Sequence, residues 1–424
     1  MQQEMASGKC SLMTEISGEA NRLGFDSARL ARIDRHFTRY VDESLLPGWQ
    51  VAITRRGELV HSASGGWRDI ELDLPVTDET LWRLYSMTKP IASVAAMTFW
   101  DEGVFQLNDP ISHWLPAFAD ARVYVKGSSS DPVTVPTKEP IRIWHLLTHT
   151  SGITAGWMST SVVDQLYRQA GYGTFPPPGT TAETFANAMA ALPLLFEPGT
   201  AWGYGNSSDI LGRLIEIWSG QPLDVAIAER VTDPLDMTNT VWYASEHHQL
   251  SKLYRVGDDG GLALLEEIGN YARAKPTFLS AGGGLLSTLT DYLRFTQMLA
   301  SNGALNGVRI LSPRALRLMT TDHLSTDLAT LVTGGFADVV LDGVGFGLGV
   351  SVVVDPAKSH SVSSPGEYSW GGAASTIFWV DPVEEVTVVF MSQLMAYVNG
   401  ELIPRDALPI KGQLRQLVYS SMIN

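Results

Sequence analysis

Cysteine is almost absent from this chain, since Cys10 is the only one in 424 residues. A single thiol excludes an intrachain disulfide framework and a zinc site built on cysteines, and it favours a reducing compartment. The first 24 residues lack the apolar core of a secretory signal. No apolar run reaches about 18 residues, the length that a membrane-spanning helix needs. We therefore expect a cytoplasmic protein that does not associate with a membrane.

Positive charge is also scarce, with 30 Lys and Arg against 45 Asp and Glu and a formal net charge of -15 at pH 7. Nucleic acids and anionic membrane surfaces bind clusters of Lys and Arg, so neither is expected as a partner. A small-molecule substrate is expected instead. The chain also lacks the Gly-x-Ser-x-Gly elbow, which weighs against an α/β-hydrolase with a Ser-His-Asp triad.

The stretch that carries the most chemistry is Ser86-Met87-Thr88-Lys89, the only Ser-x-x-Lys in the sequence. An apolar run follows it, from 90 to 100. If a helix begins at Ser86, Lys89 lies one turn later on the same face, and its amine can act on the Ser86 hydroxyl. The partial positive charge of a helix N-terminus suits a nucleophile and a developing oxyanion. From spacing alone, an N-capping serine followed by a surface lysine remains the alternative.

Hydrophobic periodicity predicts an α+β fold. A helix is expected over 26–45 and a hairpin of two strands over 49–63, whereas helical patterns dominate 86–285. Strand patterns return after residue 340, and a last helix is expected. Because the early hairpin and the late strands lie at opposite ends of the chain, both termini must complete one antiparallel sheet flanked by terminal helices, with a mainly helical domain inserted. The late elements are predicted over 345–354, 375–380, 386–392 and 408–423.

This layout predicts a domain organisation. Residues 1–24 are expected to be a flexible tail. Residues 25–85 together with 286–424 form the predicted α/β domain, residues 86–285 the helical domain, and the active site lies between the two. Residues 122–140 are predicted to be an excursion loop or a small hairpin.

Two further stretches could supply groups that a Ser-Lys nucleophile needs. Tyr204 offers a phenol as a proton shuttle, and Asn206 could point the same way and tether Lys89. The segment Trp370-Gly371-Gly372-Ala373 precedes an expected edge strand and could bring a backbone N–H against a substrate. Tyr204 as a buried aromatic residue, Asn206 as a helix cap and Trp370 as a packing residue remain the alternatives.

Metal and phosphate sites are not expected. His145 and His149 are four residues apart, but no third ligand or metalloprotease pattern accompanies them, so we interpret both as structural histidines. Gly282-Gly283-Gly284 lacks the Lys-Ser/Thr ending of a phosphate-binding loop and is interpreted as a close-packed turn. The sequence therefore predicts neither a metal nor a cofactor.

Taken together, these motifs resemble those of the serine β-lactamase and penicillin-binding superfamily, on the class C side. The resemblance extends over residues 25–422. Within it, Trp370-Gly371-Gly372 resembles the variant of family VIII carboxylesterases, where β-lactamases carry Lys-Thr-Gly. The motifs that carry the resemblance are Ser86-Met87-Thr88-Lys89, Tyr204-Gly205-Asn206, the His145–Gly152 segment His-Leu-Leu-Thr-His-Thr-Ser-Gly, and Gly282-Gly283-Gly284-Leu285.

The resemblance implies a β-lactamase-like fold and an acyl-enzyme mechanism. Ser86 would attack the ester carbonyl while Lys89 and Tyr204 take its proton, and Tyr204 would then protonate the leaving alkoxide. Backbone N–H groups of Ser86 and Ala373 would hold the oxyanion. Substrate-binding or supporting roles would fall to Asn206, Trp370, Gly371 and Gly372.

The function expected from this resemblance is hydrolysis of short- to medium-chain carboxylic esters, with weak β-lactam hydrolysis as a side activity. A β-lactamase or D-alanyl peptide hydrolase is an alternative, although it would normally need a cation where Trp370 stands. An acyltransferase of the lovastatin-synthesis type is a second alternative. A catalytically silent binding protein is the rival outside enzymes. A monomer or small homo-oligomer is expected.

Overall fold

The computed structural model describes residues 13–16, 20–158, 161–257, 260–332, 341–395, 397–398, 401–402 and 409–423. Within these residues, none of the helices is long and apolar enough to cross a bilayer. The helices are α1 Ser27–Asp42, α2 Thr88–Asp101, α3 Ile143–Leu147, α4 Val162–Gln169, α5 Ala182–Ala191, α6 Ser207–Ser219, α7 Leu223–Ile227, α8 Glu266–Asn270, α9 Leu289–Ala300, α10 Pro313–Met319, α11 Leu328–Leu331 and α12 Ile410–Ser420.

Most of the strands lie before α2 or after α9. In chain order they are β1 Met13–Ile16, β2 Gly48–Arg55, β3 Glu58–Asp69, β4 Leu74–Pro75, β5 Thr80–Arg83, β6 Arg122–Ser128, β7 Asp131–Pro136, β8 Gln249–Leu250, β9 Tyr254–Val256, β10 Leu262–Leu264, β11 Leu286–Ser287, β12 Ala304–Leu305, β13 Val308–Arg309, β14 Val344–Phe346, β15 Ser351–Val353, β16 Tyr368–Gly372, β17 Thr376–Asp381, β18 Val386–Ser392, β19 Leu394–Met395, β20 Tyr397–Val398 and β21 Glu401–Leu402.

One antiparallel sheet forms the centre of the fold, in the order β1-β3-β2-β18-β17-β16-β15-β14, with β4 paired to β3. The pairing of β2 with β18 joins the N-terminal hairpin to the C-terminal strands over seven residue pairs, from Trp49–Ser392 to Arg55–Val386. The prediction that both chain ends complete one sheet is therefore confirmed, and so is the α+β fold class.

The two faces of this sheet are covered by different helices, because successive side chains of a strand point to opposite faces. On one face, Phe37 of α1 packs at 5.6 Å from Trp49 and at 4.8 Å from Phe390, between ring centroids, and α12 lies beside α1. On the other face, Tyr292 of α9 lies 5.5 Å from Phe378. The sheet therefore separates α1 and α12 from α9.

Three predictions of local structure are wrong in part. The expected tail 1–24 includes β1, which pairs with β3, and residues 20 and 23 are buried; the first 12 residues and 17–19 lie outside the described residues. The strand predicted over 345–354 is a hairpin of β14 and β15. Trp370 does not precede an edge strand: it lies within β16, which has β15 and β17 on either side.

Other predictions agree with the structure. The helix expected over 26–45 is α1, and Asp26 caps it by accepting a hydrogen bond from the Arg29 backbone N–H at 2.9 Å. The segment 122–140 contains the hairpin of β6 and β7. The last helix, predicted from Leu408, begins at Ile410, and Leu408 itself lies outside the described residues. The division into two domains stays a prediction.

Candidate active site

Ser86 lies in a turn between a strand and the central helix. Strand β5 is followed by a 3₁₀ turn, Tyr85–Met87, and then by α2, whose residues from Thr88 to Phe99 are all buried. Tyr85 has φ +45°, a conformation that non-glycine residues rarely adopt. This tight turn leaves the Ser86 side chain half-buried instead of enclosed in the core. No side-chain hydrogen bond caps α2, so the alternative of an N-capping serine is wrong.

The Ser86 hydroxyl accepts hydrogen bonds from two predicted partners. Lys89 Nζ donates to Ser86 Oγ at 3.2 Å, and Tyr204 OH donates to the same oxygen at 2.6 Å. Lys89 is only 4% exposed, and its Nζ lies 4.5 Å from the centroid of the Tyr204 ring. The structure thus brings together, around one oxygen atom, three side chains that are up to 118 residues apart in sequence.

Lys89 is held by the glycine turn that the sequence singled out. Its Nζ donates to the backbone carbonyl of Gly282 at 2.6 Å. A β-carbon added to Gly282 would lie 2.8 Å from Oδ2 of Asp209, closer than side chains pack, so any other residue here would have to displace this carboxylate. Gly282–Gly284 is therefore a close-packed turn, as interpreted from the sequence, and it contacts the candidate site directly.

Aromatic rings surround Tyr204, which is 5% exposed. The centroid of its ring lies 4.8 Å from His149, 5.9 Å from Trp157 and 5.8 Å from Trp370. Burial, together with the nearby charge of Lys89, lowers the pKa of His149 well below its usual value. His149 is therefore a neutral residue packed beside Tyr204. The His145–Gly152 segment of the sequence did not indicate this contact.

Asn206 does not tether Lys89, so this prediction is wrong. Its side-chain amide contacts Met189 Sδ at 3.6 Å instead. Asn206 occupies the N-cap position of α6, but its side chain makes no capping hydrogen bond there. The helix thus begins immediately after the Tyr204 loop, and Asn206 points towards α5, which contains Met189.

Strand β16 lies against the Ser86 turn. A β-carbon on Gly372 would overlap the carbonyl oxygen of Leu84 and the hydroxyl of Thr376, so glycine is required where this strand meets the turn. Thr376 Oγ1 also donates to the Leu84 carbonyl at 3.3 Å. Ala373 follows Gly372 in the tight connection to β17, as part of the segment that contacts this turn.

Trp370 is 8% exposed and packs in the site wall. Its ring lies edge-on to Phe346 at 5.2 Å, in addition to its contact with Tyr204. Gly371 follows it in β16 and is half-buried. The structure therefore places an indole, an uncharged group, beside the tyrosine whose hydroxyl contacts Ser86.

The two histidines have different surroundings. His145 Nδ1 accepts a hydrogen bond from the Arg142 backbone N–H at 3.0 Å, and burial lowers its pKa to about 4. His149 packs among aromatic rings. Over the part of the chain that the structure describes, no group of three His, Cys, Asp or Glu side chains is arranged to hold a metal ion.

Asp209 is a residue of the site region that the sequence analysis missed. It lies on α6 and is 7% exposed, and its Oδ1 accepts hydrogen bonds from Ser280 Oγ at 2.7 Å and from the Gly282 backbone N–H at 3.1 Å. Burial raises its pKa, whereas these hydrogen bonds and the charge of Lys89 act in the opposite direction. Only its place one helical turn after Asn206 could have drawn attention to it.

Comparison with known proteins agrees with this geometry. A family model described as Beta-lactamase matches residues 33–407. The chain belongs to the β-lactamase family. It is thus a serine hydrolase of the β-lactamase fold, and the resemblance found in the sequence is confirmed at this level.

Similar proteins include esterases. Esterase EstB of Burkholderia gladioli is 28% identical over 401 residues, which cover 90% of this chain and 94% of that protein. An uncharacterised protein of Mycobacterium tuberculosis is 36% identical over 357 residues, covering 83% and 87%. Among solved structures, EstCE1, described as "a hydrolase with promiscuous acyltransferase activity", has a TM-score of 0.77 at 25% identity and covers 95% of this chain and 100% of its own.

Proposed function

We propose that this β-lactamase-family protein is a carboxylesterase that hydrolyses short- to medium-chain esters through an acyl-enzyme on Ser86. The observation that carries the proposal is the pair of hydrogen bonds that Ser86 Oγ accepts, from Lys89 Nζ and from Tyr204 OH. A nucleophile in contact with an amine and a phenol has both a base and a proton shuttle within reach.

In the proposed mechanism, Ser86 Oγ bonds to the ester carbonyl carbon while its proton moves to Lys89 and Tyr204. The backbone N–H groups of Ser86 and Ala373 hold the negative oxygen that forms. When this intermediate collapses, the bond to the alkoxide breaks and Tyr204 protonates the alkoxide. Water, deprotonated by Tyr204 or Lys89, then attacks the acyl carbonyl, and Ser86 recovers its proton as the acid leaves.

The uncharged wall of the site favours esters over β-lactams. Trp370 stands where a β-lactamase carries a cation for the substrate carboxylate, and a charge-assisted hydrogen bond of that kind contributes about 1.5 to 3 kcal/mol. Its indole, packed against the fully buried Phe346, offers apolar contact to an acyl or alkyl group instead. The esterase activity named for EstB is consistent with this preference.

Acyl transfer to an alcohol is a second candidate, supported by the promiscuous acyltransferase activity described for EstCE1. The acyl-enzyme is common to both reactions, and only the acceptor differs. An alcohol added at increasing concentration to an ester assay should divert product from acid to new ester if transfer occurs. If the acid remains the only product, transfer to that alcohol is excluded.

A cytoplasmic location and a monomeric or small oligomeric state stay predictions.

The decisive assay compares p-nitrophenyl butyrate, a long-chain p-nitrophenyl ester and a chromogenic cephalosporin. We expect the butyrate to react fastest and the cephalosporin slowest. Ser86→Ala should abolish hydrolysis of all three while circular dichroism shows the native fold and Tm falls only slightly, because the side chain loses two hydrogen bonds but does not cap α2. Cephalosporin turnover faster than butyrate turnover would contradict the proposal, and so would a folded Ser86→Ala variant that keeps more than a few per cent of activity.

A further inference from the structure

A buried carboxylate stands behind the lysine of the candidate site. Asp209 accepts a hydrogen bond from the backbone N–H of Gly282, and the carbonyl of the same glycine accepts one from Lys89 Nζ. The two groups of Gly282 belong to different peptide units, so this contact fixes position and does not conduct a proton. One residue thus links the carboxylate on α6 to the ammonium on α2.

The Gly282–Gly284 turn is held at both ends by hydrogen bonds. At its start, Ser280 Oγ donates to the carboxylate of Asp209 at 2.7 Å. At its end, the Leu285 backbone N–H donates to Thr88 Oγ1 at 3.1 Å, and the Leu285 carbonyl accepts from the Leu84 N–H at 3.0 Å. Leu84 and Thr88, which hold the end of the turn, lie two residues before and two residues after Ser86. The carboxylate is therefore one of the fixed points that set the distance between the Gly282 carbonyl and the Ser86 turn.

Charge adds to this geometric role. Tyr204 faces Lys89 with its ring, and His149 is neutral because burial lowers its pKa. Burial raises the pKa of Asp209, whereas the hydrogen bond from Ser280 and the charge of Lys89 act in the opposite direction and favour its ionised carboxylate.

We propose that Asp209 is a positioning residue of this enzyme: it fixes the Gly282 carbonyl that holds Lys89 against Ser86. This inference rests on the proposed function, because it assigns Lys89 the role of a base that must lose a proton to act. Asp209 acts through Gly282 and Lys89 and does not touch the reacting atoms.

Two variants separate position from charge. Asp209→Asn keeps an oxygen that can accept from Ser280 and Gly282 but removes the negative charge. Because the Gly282 carbonyl then stays in place, kcat should remain within about tenfold of the native value. Asp209→Ala removes the acceptor as well, so kcat should fall about 10²-fold with KM changed less than threefold, because the base is no longer held in place.

Two controls match these changes. Asp291 is another buried aspartate, 2% exposed, with its Oδ2 accepting from the Asn239 backbone N–H at 2.7 Å. Asp291→Ala should leave kcat close to the native value although it also removes a buried carboxylate. Ser280→Ala removes one donor to Asp209 and keeps the contact of Asp209 with Gly282, so its kcat should fall less than that of Asp209→Ala.

A second measurement keeps this inference separate from the choice of substrate. The rate at which a fluorophosphonate probe labels Ser86 reports the reactivity of the serine whatever ester is natural. If the native protein labels but hydrolyses no ester, the proposed function fails, and the labelling rates of the Asp209 variants still test this inference. The inference is wrong if folded Asp209→Ala labels at the native rate, or if Asp291→Ala slows labelling equally. Should Asp209→Ala fail to fold, Gly282→Ala decides, because its β-carbon would displace the Asp209 carboxylate: a folded Gly282→Ala variant that labels at the native rate would contradict the inference.

Discussion

Removing the hydroxyl of Tyr204 separates its chemical role from its packing role. In Tyr204→Phe the ring should keep its contacts with His149, Trp157 and Trp370, because these involve the ring alone. What disappears is the 2.6 Å hydrogen bond to Ser86 Oγ. A net loss of about 0.5–1.5 kcal/mol of stability is expected for one such bond.

The expected loss of activity is larger than this structural loss. A positioned general acid or base contributes roughly 10² to 10⁴ in rate, which corresponds to about 2.7 to 5.4 kcal/mol of transition-state stabilisation. If Tyr204 only positioned Ser86 through a hydrogen bond of ordinary strength, the loss would be about tenfold. The two interpretations therefore differ by at least a factor of about ten in kcat.

The leaving group provides the sharpest assay. p-Nitrophenolate leaves without being protonated, whereas an alkoxide needs a proton, so Tyr204→Phe should slow ethyl butyrate more than p-nitrophenyl butyrate. Tyr292→Phe is the matched control: Tyr292 is fully buried and its hydroxyl donates to the Met87 carbonyl at 3.0 Å, one residue from Ser86. The control should lose stability but little activity. Equal losses for both esters, or a Tyr204→Phe enzyme with more than a tenth of native kcat, would refute the shuttle.

Two further substitutions test other parts of the site. Lys89→Arg should lower kcat more than 100-fold and abolish labelling of Ser86 by a fluorophosphonate, because a guanidinium stays charged at neutral pH and cannot act as a base; an active Arg variant would mean that the cation alone is needed. Gly372→Ala should cost about 1–3 kcal/mol in chemical denaturation and reduce kcat, since its β-carbon would overlap the Leu84 carbonyl beside the Ser86 turn. Gly412→Ala in α12 is the control for Gly372→Ala, because a β-carbon on Gly412 meets nothing within 4 Å. The stability of this control should stay the same or rise. A comparable loss of stability in both variants would exclude the overlap as the cause.

The sequence was sufficient to predict the sheet and the main helices because their signals are local. The period of α1 and the short apolar runs of β17 and β18 appear directly in the sequence. That both ends of the chain share one sheet followed from the positions of these signals. Strand β16 was missed because its residues, Tyr-Ser-Trp-Gly-Gly, end in two glycines that disfavour a strand, and the sheet stabilises it through tertiary pairing on both sides.

Contacts of the site between residues close in sequence could also be predicted, whereas several contacts between distant segments could not. Contact between Ser86 and Lys89 could be predicted from helical spacing, and contact with Tyr204 from the resemblance. The partners of Asn206 and Asp209 depend on the directions in which their side chains leave the start of α6. No pattern in the sequence around Asp209 indicates that the glycine turn at Gly282 packs against this residue.

Stability and activity should be coupled at this site, because backbone from distant parts of the chain fixes its side chains. Ser86 depends on a turn that β16 contacts at Gly372, and Lys89 depends on a carbonyl at Gly282. A substitution that shifts either glycine segment by a few tenths of an ångström alters distances around Ser86 Oγ without changing any catalytic side chain. Selection for faster ester turnover should therefore yield substitutions at residues that pack against these two segments, in addition to substitutions at residues that contact the substrate.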